Sequence, residues 1–267
     1  MRKDIRLVAI DLDDTLLRDD LTIAPGAKEA IRKAQQKGVT VVLATGRMFP
    51  AALPFAQELG LTGPLITYNG ALIRTAAGET WWHRPVSREL ALEILDFGAA
   101  AGWTVQCYCD DRLYVRQIND DVKYYLEIAR VPVQECPDMR ALLSERLSTK
   151  LLSIGSPEEI VRRAESLRQA FAGRLTITIS KPRFVEMLAA GVSKAAALAE
   201  VARRLHVPRE QVMAIGDSFN DLDMIQWAGV GVAMGNAPDA VKELADCVVG
   251  TNMEEGVAEA FERFVFA

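Results

Sequence analysis

Two aspartates two positions apart, Asp11 and Asp13, follow a short apolar run, Leu7-Val8-Ala9-Ile10. Side chains of this type can attack phosphorus as nucleophiles, pass protons, or supply oxygen ligands to a hard divalent cation. Taken alone, the pair also fits a turn followed by a helix cap. Further along stand a hydroxyl at Thr45, an ammonium at Lys194 and a second acidic group, Asp217, Asn220 and Asp221. Together these residues suit phosphoryl transfer. One carboxylate would attack and a second would protonate the leaving oxygen and then activate water. A hydroxyl and an ammonium would hold the transferring group, and a magnesium ion on Asp11, a backbone carbonyl and Asp217 would offset the repulsion between phosphate and carboxylates.

The elements that must carry these groups are legible as well. The runs 7–10, 39–44 and 64–68 are apolar throughout, and helical patterns at 24–37 and 51–59 separate them. Strands buried on both faces and alternating with helices predict a parallel sheet, whose ligands collect at the strand carboxyl ends. Asp11, Thr45 and Asn69-Gly70 each follow such a strand. The pattern changes after residue 83. The runs 103–109, 113–116, 175–179 and 184–188 lean to alternation, and they are interleaved with helical stretches at 89–101, 119–129 and 157–171. Ser156-Pro157-Glu158-Glu159 carries the capping-box signature with proline at the first helical position. Alternation predicts strands with one wet face, hence an inserted α+β module at residues 84–186. The buried-strand pattern resumes afterwards, with 212–216 ending at Asp217 and 230–234 ending at Gly235-Asn236. Residues 1–83 and 187–267 are therefore expected to form one parallel-sheet core.

Bulk properties narrow the class. Half of the 267 residues are hydrophobic, a quarter are charged and the net charge is -5. No basic tract interleaved with aromatics occurs, which argues against a nucleic-acid partner. No apolar run is long enough for a membrane span or a secretory signal, and the cytoplasm is the expected compartment. Cys107, Cys109, Cys136 and Cys247 lack zinc-site spacing and read as free thiols. The two histidines, His83 and His206, lie outside every cluster, so acid–base work falls to carboxylates.

Four motifs in order, Asp11-Leu12-Asp13-Asp14-Thr15, Ala44-Thr45-Gly46-Arg47, Gly191-Val192-Ser193-Lys194 and Gly216-Asp217-Ser218-Phe219-Asn220-Asp221, resemble those of the haloacid dehalogenase superfamily of phosphohydrolases. The large insert resembles its Cof-type branch. The resemblance implies a Rossmann-like α/β core with an α+β cap that sets specificity. It implies Asp11 as nucleophile, Asp13 as general acid/base, and Thr45 and Lys194 on the phosphoryl group. Magnesium would be held by Asp11, the Asp13 backbone carbonyl and Asp217, with Asp221 and Asn220 in support. Gly46, Arg47, Asn69 and Asn236 would line the substrate pocket. Bland readings stand beside some of these: a solvated helix-start arginine for Arg47, a helix-dipole charge for Asp221, a simple turn for Asn69-Gly70. Asp14 and Ala195 stand where glycine is common in the branch. The expected substrate is a small phosphorylated metabolite, handled by a monomer or weak homodimer. A sugar phosphomutase of the same superfamily is the alternative, and a non-catalytic phosphate-binding or signalling protein is a more distant one.

Overall fold

A computed structural model describes residues 4–129 and 131–267. The chain divides into two compact units. One comprises the chain up to Gly46 together with Ala52–Trp81 and Ser193–Ala267; the other comprises Arg47–Ala51 and Trp82–Val192. The second unit extends past residue 186 because the strand Phe184–Ala189 pairs within its sheet.

The first unit is built on a five-stranded sheet. Leu7–Ile10 runs parallel to Val212–Gly216 on one side and to Thr40–Leu43 on the other, with Val230–Ala233 and then Cys247–Val248 beyond. Leu7, Val8, Ala9 and Ile10 have no exposed surface. Burial of each large aliphatic side chain contributes about 1.5–3 kcal/mol, so this central strand is held in register by packing on both faces. Helix Pro25–Gln36 presents Ala27, Ala30, Ile31 and Ala34 on one buried stripe. Proline sits at its start, and Gly38 leaves its end at φ +79°. Its own N-cap residue makes no side-chain bond; Glu255 takes that role, accepting from the Gly26 and Ala27 amides at 3.3 and 3.1 Å.

The strand Pro64–Thr67 departs from expectation. It touches the main sheet through one parallel bridge, Ala44 to Ile66, and otherwise pairs antiparallel with Leu72–Thr75. A three-stranded sheet results, with Thr80–His83 as its third member. Asn69-Gly70 carries a turn signal; what the sequence hid is the returning strand, since Leu72–Thr75 has four residues, three of them buried, and so no alternating pattern.

The second unit carries a six-stranded, largely antiparallel sheet in which Val105–Cys109 lies between Leu151–Ile154 and Arg112–Val115. Helices Arg88–Ala100, Met139–Glu145 and Pro157–Ala170 supply Ile94, Leu143, Ile160 and Leu167 to its apolar core, together with Cys107 and Cys109. The capping box at Ser156 and Glu159 is formed. All four cysteines are free; burial raises the Cys107 thiol and pushes Cys109 up to about 11, so both are inert. No helix among the described residues is long and apolar enough to cross a membrane.

Candidate active site

The parallel register explains why residues remote in sequence meet. Asp11 leaves the central strand with its amide donating to the Ile215 carbonyl at 3.0 Å. Ala44 donates to Ile10 and Met234 to Gly216, so the loops bearing Thr45, Asp217 and Asn236 emerge at the same end of the sheet. From Asp11 onward the chain makes one wide turn, in which Leu16 and Leu17 donate back to Asp11 and Leu12. Asp13 is half-buried within it at φ -70° and ψ 128°. Asp14 is exposed and left-handed at φ 62°, a conformation that costs glycine least. That is the physical reason why glycine suits this position, and it leaves the extra carboxylate on the surface.

Lys194 opens helix Lys194–Arg204, behind the cap residue Ser193, which accepts from the Ala196 amide. Its side chain is fully buried, and its Nζ donates to Asp11 Oδ1 at 2.6 Å and to Asp221 Oδ1 at 2.5 Å. Asp221 is committed on both oxygens, since Oδ2 accepts from the amides of Asp217 and Ser218 at 3.2 and 3.0 Å. Thr15, inside the first motif, donates its hydroxyl to Asp217 Oδ1 at 2.6 Å. Carboxylate oxygens of Asp11, Asp217 and Asp221 lie within 4.8 Å of one another, all three residues buried.

Three buried carboxylates against one ammonium leave a negative excess. Burial raises the Asp11 carboxyl well above its ordinary value, and Asp221 adds to that, while Lys194 opposes it. Asp217 is raised to about 7 by burial and by Asp221, against the Thr15 hydrogen bond. Burial alone would lower the Lys194 pKa; Asp11 and Asp221 outweigh it and hold the ammonium more firmly than in a free lysine. An all-oxygen donor set with uncompensated negative charge fits a hard divalent cation such as magnesium. Asp11 and Asp217 are suited to hold it directly. The two commitments of Asp221 suit it to orient Lys194 and the Asp217 loop.

Thr45 is buried, and its carbonyl accepts from the Asn69 amide at 3.0 Å. Asn69 is buried and left-handed, and its Oδ1 accepts from Asn220 Nδ2 at 3.0 Å. Gly46 gives it room: a Cβ there would sit 3.0 Å from Asn69 Oδ1. Asn236 donates to the carbonyl of Asp14 at 2.7 Å and so braces the first-motif turn. Arg47 packs as part of the second unit. Sequence reasoning gave no role to Thr15 or Asp223 and read Gly70 only as part of a turn with Asn69. Asp223 accepts from the Ala195 amide at the start of the lysine helix, and a Cβ on Gly70 would meet the Ser193 carbonyl at 2.1 Å. Thr15 could have been found, since it lies inside a motif already singled out.

Comparison with known proteins adds a separate line. The family model for haloacid dehalogenase-like hydrolases matches residues 8–261. A Bacillus subtilis protein named 5-amino-6-(5-phospho-D-ribitylamino)uracil phosphatase YcsE is 37% identical over 98% of this chain and 96% of its own length. A second B. subtilis protein with that activity in its name, YitU, is 30% identical over 97% of each chain. A crystal structure from Thermotoga maritima superposes with a TM-score of 0.86 at 33% identity, covering 97% of both chains.

Proposed function

Because the chain belongs to the haloacid dehalogenase-like hydrolases, in their Cof-type branch, and is an enzyme of the phosphatase class, we propose that it hydrolyses phosphate monoesters of small metabolites through an aspartyl-phosphate on Asp11. The observation that carries this reading is the double clamp of Lys194 on Asp11 and Asp221, with Asp217 alongside. It fixes one carboxylate at a strand end for in-line attack and keeps a buried cation where phosphoryl charge would develop.

In this scheme the Asp11 carboxylate attacks phosphorus and the bond from phosphorus to the ester oxygen breaks. Asp13 gives its proton to the departing alkoxide. Asp13 then takes a proton from water, whose oxygen attacks phosphorus and releases phosphate from Asp11. The Thr45 hydroxyl and the Lys194 ammonium hold the phosphoryl oxygens throughout. Magnesium, held by Asp11, Asp217 and the Asp13 carbonyl, would supply the charge that lets a phosphate approach these carboxylates. Asn69, Asn220 and Asn236 keep the loops in register.

The relatives' printed activity makes 5-amino-6-(5-phospho-D-ribitylamino)uracil the first compound to assay, followed by simple sugar phosphates. The purified chain should release inorganic phosphate from at least one of them with magnesium and lose that activity in EDTA. Asp11→Asn should release none. Asp13→Asn should lose about 10²- to 10⁴-fold in turnover. With 4-nitrophenyl phosphate, whose leaving group needs no proton, it should accumulate phosphate on Asp11, detectable by mass spectrometry. Phosphate found on Asp13, or full turnover by Asp11→Asn, would overturn the scheme.

A further inference from the structure

Two asparagines hold the turn of residues 11–17 from outside, 222 and 235 positions downstream of the carbonyls they bind. Asn236 Nδ2 donates to the Asp14 carbonyl at 2.7 Å, and Asn252 Nδ2 donates to the Leu17 carbonyl at 2.9 Å. The Asn252 amide also donates to Asn236 Oδ1 at 3.1 Å, so the two residues form one bracket across the turn. Their loops are tightly joined: the Gly235 amide donates to the Gly250 carbonyl at 3.0 Å, and a Cβ on Gly235 would lie 2.9 Å from the Val249 carbonyl. Glu255, in the same loop as Asn252, pairs with Arg18 at 3.5 Å and caps helix Pro25–Gln36. Asn252 is buried, and a buried amide persists where its hydrogen bonds offset its desolvation.

The bracket grips a conformation that would otherwise relax. Asp14 is left-handed, at φ 62° and ψ 5°, which is unfavourable for a residue with a Cβ and persists only where its surroundings fix it. A change of φ at Asp14 rotates the peptide that joins it to Asp13, so release of Asp14 would swing Asp13, half-buried inside the same turn. Asp11 does not depend on the bracket in this way. The strand holds its amide on Ile215, and Lys194 holds its carboxylate.

We propose that Asn252, acting with Asn236, is a positioning residue for Asp13. The pair keeps the turn in the conformation from which Asp13 exchanges protons with the leaving oxygen and with water. This inference rests on the phosphatase reading, and it divides the reaction by step. Attack of Asp11 on an ester with a good leaving group needs no proton from Asp13; departure of an alkoxide and release of phosphate from Asp11 both do.

The test compares the full chain with its Asn252→Ala variant on 4-nitrophenyl phosphate and on the sugar phosphate that wild type hydrolyses best. The variant should lose about 10- to 100-fold in kcat/KM for the sugar phosphate and stay within about 2-fold of wild type for 4-nitrophenyl phosphate. Phosphate should accumulate on Asp11 of the variant, as read by mass spectrometry. Asn236→Ala, which alters an exposed side chain, should show the same division, and it carries the test if Asn252→Ala does not fold. The double variant should lose about as much as the worse single one, because both residues act on one turn. Equal losses on the two substrates would show a merely structural role and overturn the inference. So would a loss on the sugar phosphate without an accumulated adduct, which marks substrate contact instead. Failure of wild type to form any adduct on Asp11 would overturn the phosphatase reading and this inference with it, a result distinct from equal losses in an enzyme that does phosphorylate.

Discussion

Asn220 donates to Asn69 at 3.0 Å across 151 positions of sequence, and Asn69 in turn donates its amide to the carbonyl of Thr45. The loop that carries Asp217 and the loop that carries Thr45 are thus tied through one buried, left-handed asparagine. Asparagine tolerates that conformation better than most residues, and here its side chain is also used. Asn69→Ala should lower turnover with a smaller change in KM, since it loosens two loops at once. Steady-state kinetics on the best substrate checks this, and an unchanged kcat would refute it.

The neighbouring Gly70 is required on two grounds, a φ of +97° and a virtual Cβ 2.1 Å from the Ser193 carbonyl. Gly70→Ala should cost about 2–4 kcal/mol by forcing the lysine helix away. Gly216→Ala is the sharper probe. Its Cβ would lie 2.5 Å from Asp221 Cβ, so the carboxylate that orients Lys194 must move. A displacement of that size should reduce kcat by about 10²-fold while the fold persists, as read by circular dichroism alongside kinetics.

Thr15 supplies a hydroxyl to Asp217. Thr15→Val keeps the shape and removes the donor, which leaves Asp217 harder to ionise and free to rotate. Groups that orient a metal ligand typically contribute 10- to 100-fold in affinity, so the magnesium concentration for half-maximal activity should rise by about that factor. Activity titrated against magnesium would show it, and an unshifted curve would argue against Asp217 as a ligand.

The raised carboxyls also set a pH dependence for the metal-free protein. Asp217 titrates near 7 when folded and near 3.8 when unfolded. Between those values the folded state binds more protons, so stability falls as pH rises through the window and levels off above about 7. Asp11 is shifted in the same direction and adds to the trend. In EDTA the melting temperature should therefore be higher near pH 5 than near pH 8. Asp217→Asn should flatten the difference, and magnesium should raise the melting temperature most at pH 8. A melting temperature that rises with pH in EDTA would contradict the assignment.

Much of the site could be read from the chain because strand ends concentrate it. Asp11, Thr45 and Asp217 each follow an uninterrupted buried strand, and burial on both faces leaves a strong apolar signature. Lys194 was found through its place in the order of motifs, since nothing local distinguishes a lysine fully buried by two carboxylates 27 and 183 positions away. The turn at Asn69-Gly70 was legible, but the strand that returns from it, Leu72–Thr75, was missed because four residues, three of them buried, leave no alternating pattern. The strand Val133–Glu135 and the helix Met139–Glu145 are too short to produce a periodic signal. Glu255 as the cap of a helix 229 positions earlier has no local signature at all.

The placement of Leu7–Ile10 at the centre of its sheet has a consequence for biosynthesis. One neighbour, Thr40–Leu43, follows almost at once; the other, Val212–Gly216, leaves the ribosome some 200 residues later. At about 5–20 residues per second that interval is roughly 10–40 s. Throughout it the central strand offers one unpaired, wholly apolar edge, while residues 82–192 emerge with every strand of their own six-stranded sheet close behind. The nascent chain therefore completes its inserted unit first and holds an open, aggregation-prone edge until synthesis reaches the last fifth of the chain. Newly made chains should depend on chaperones that shield such edges, and slow translation before residue 212 should lengthen the exposure.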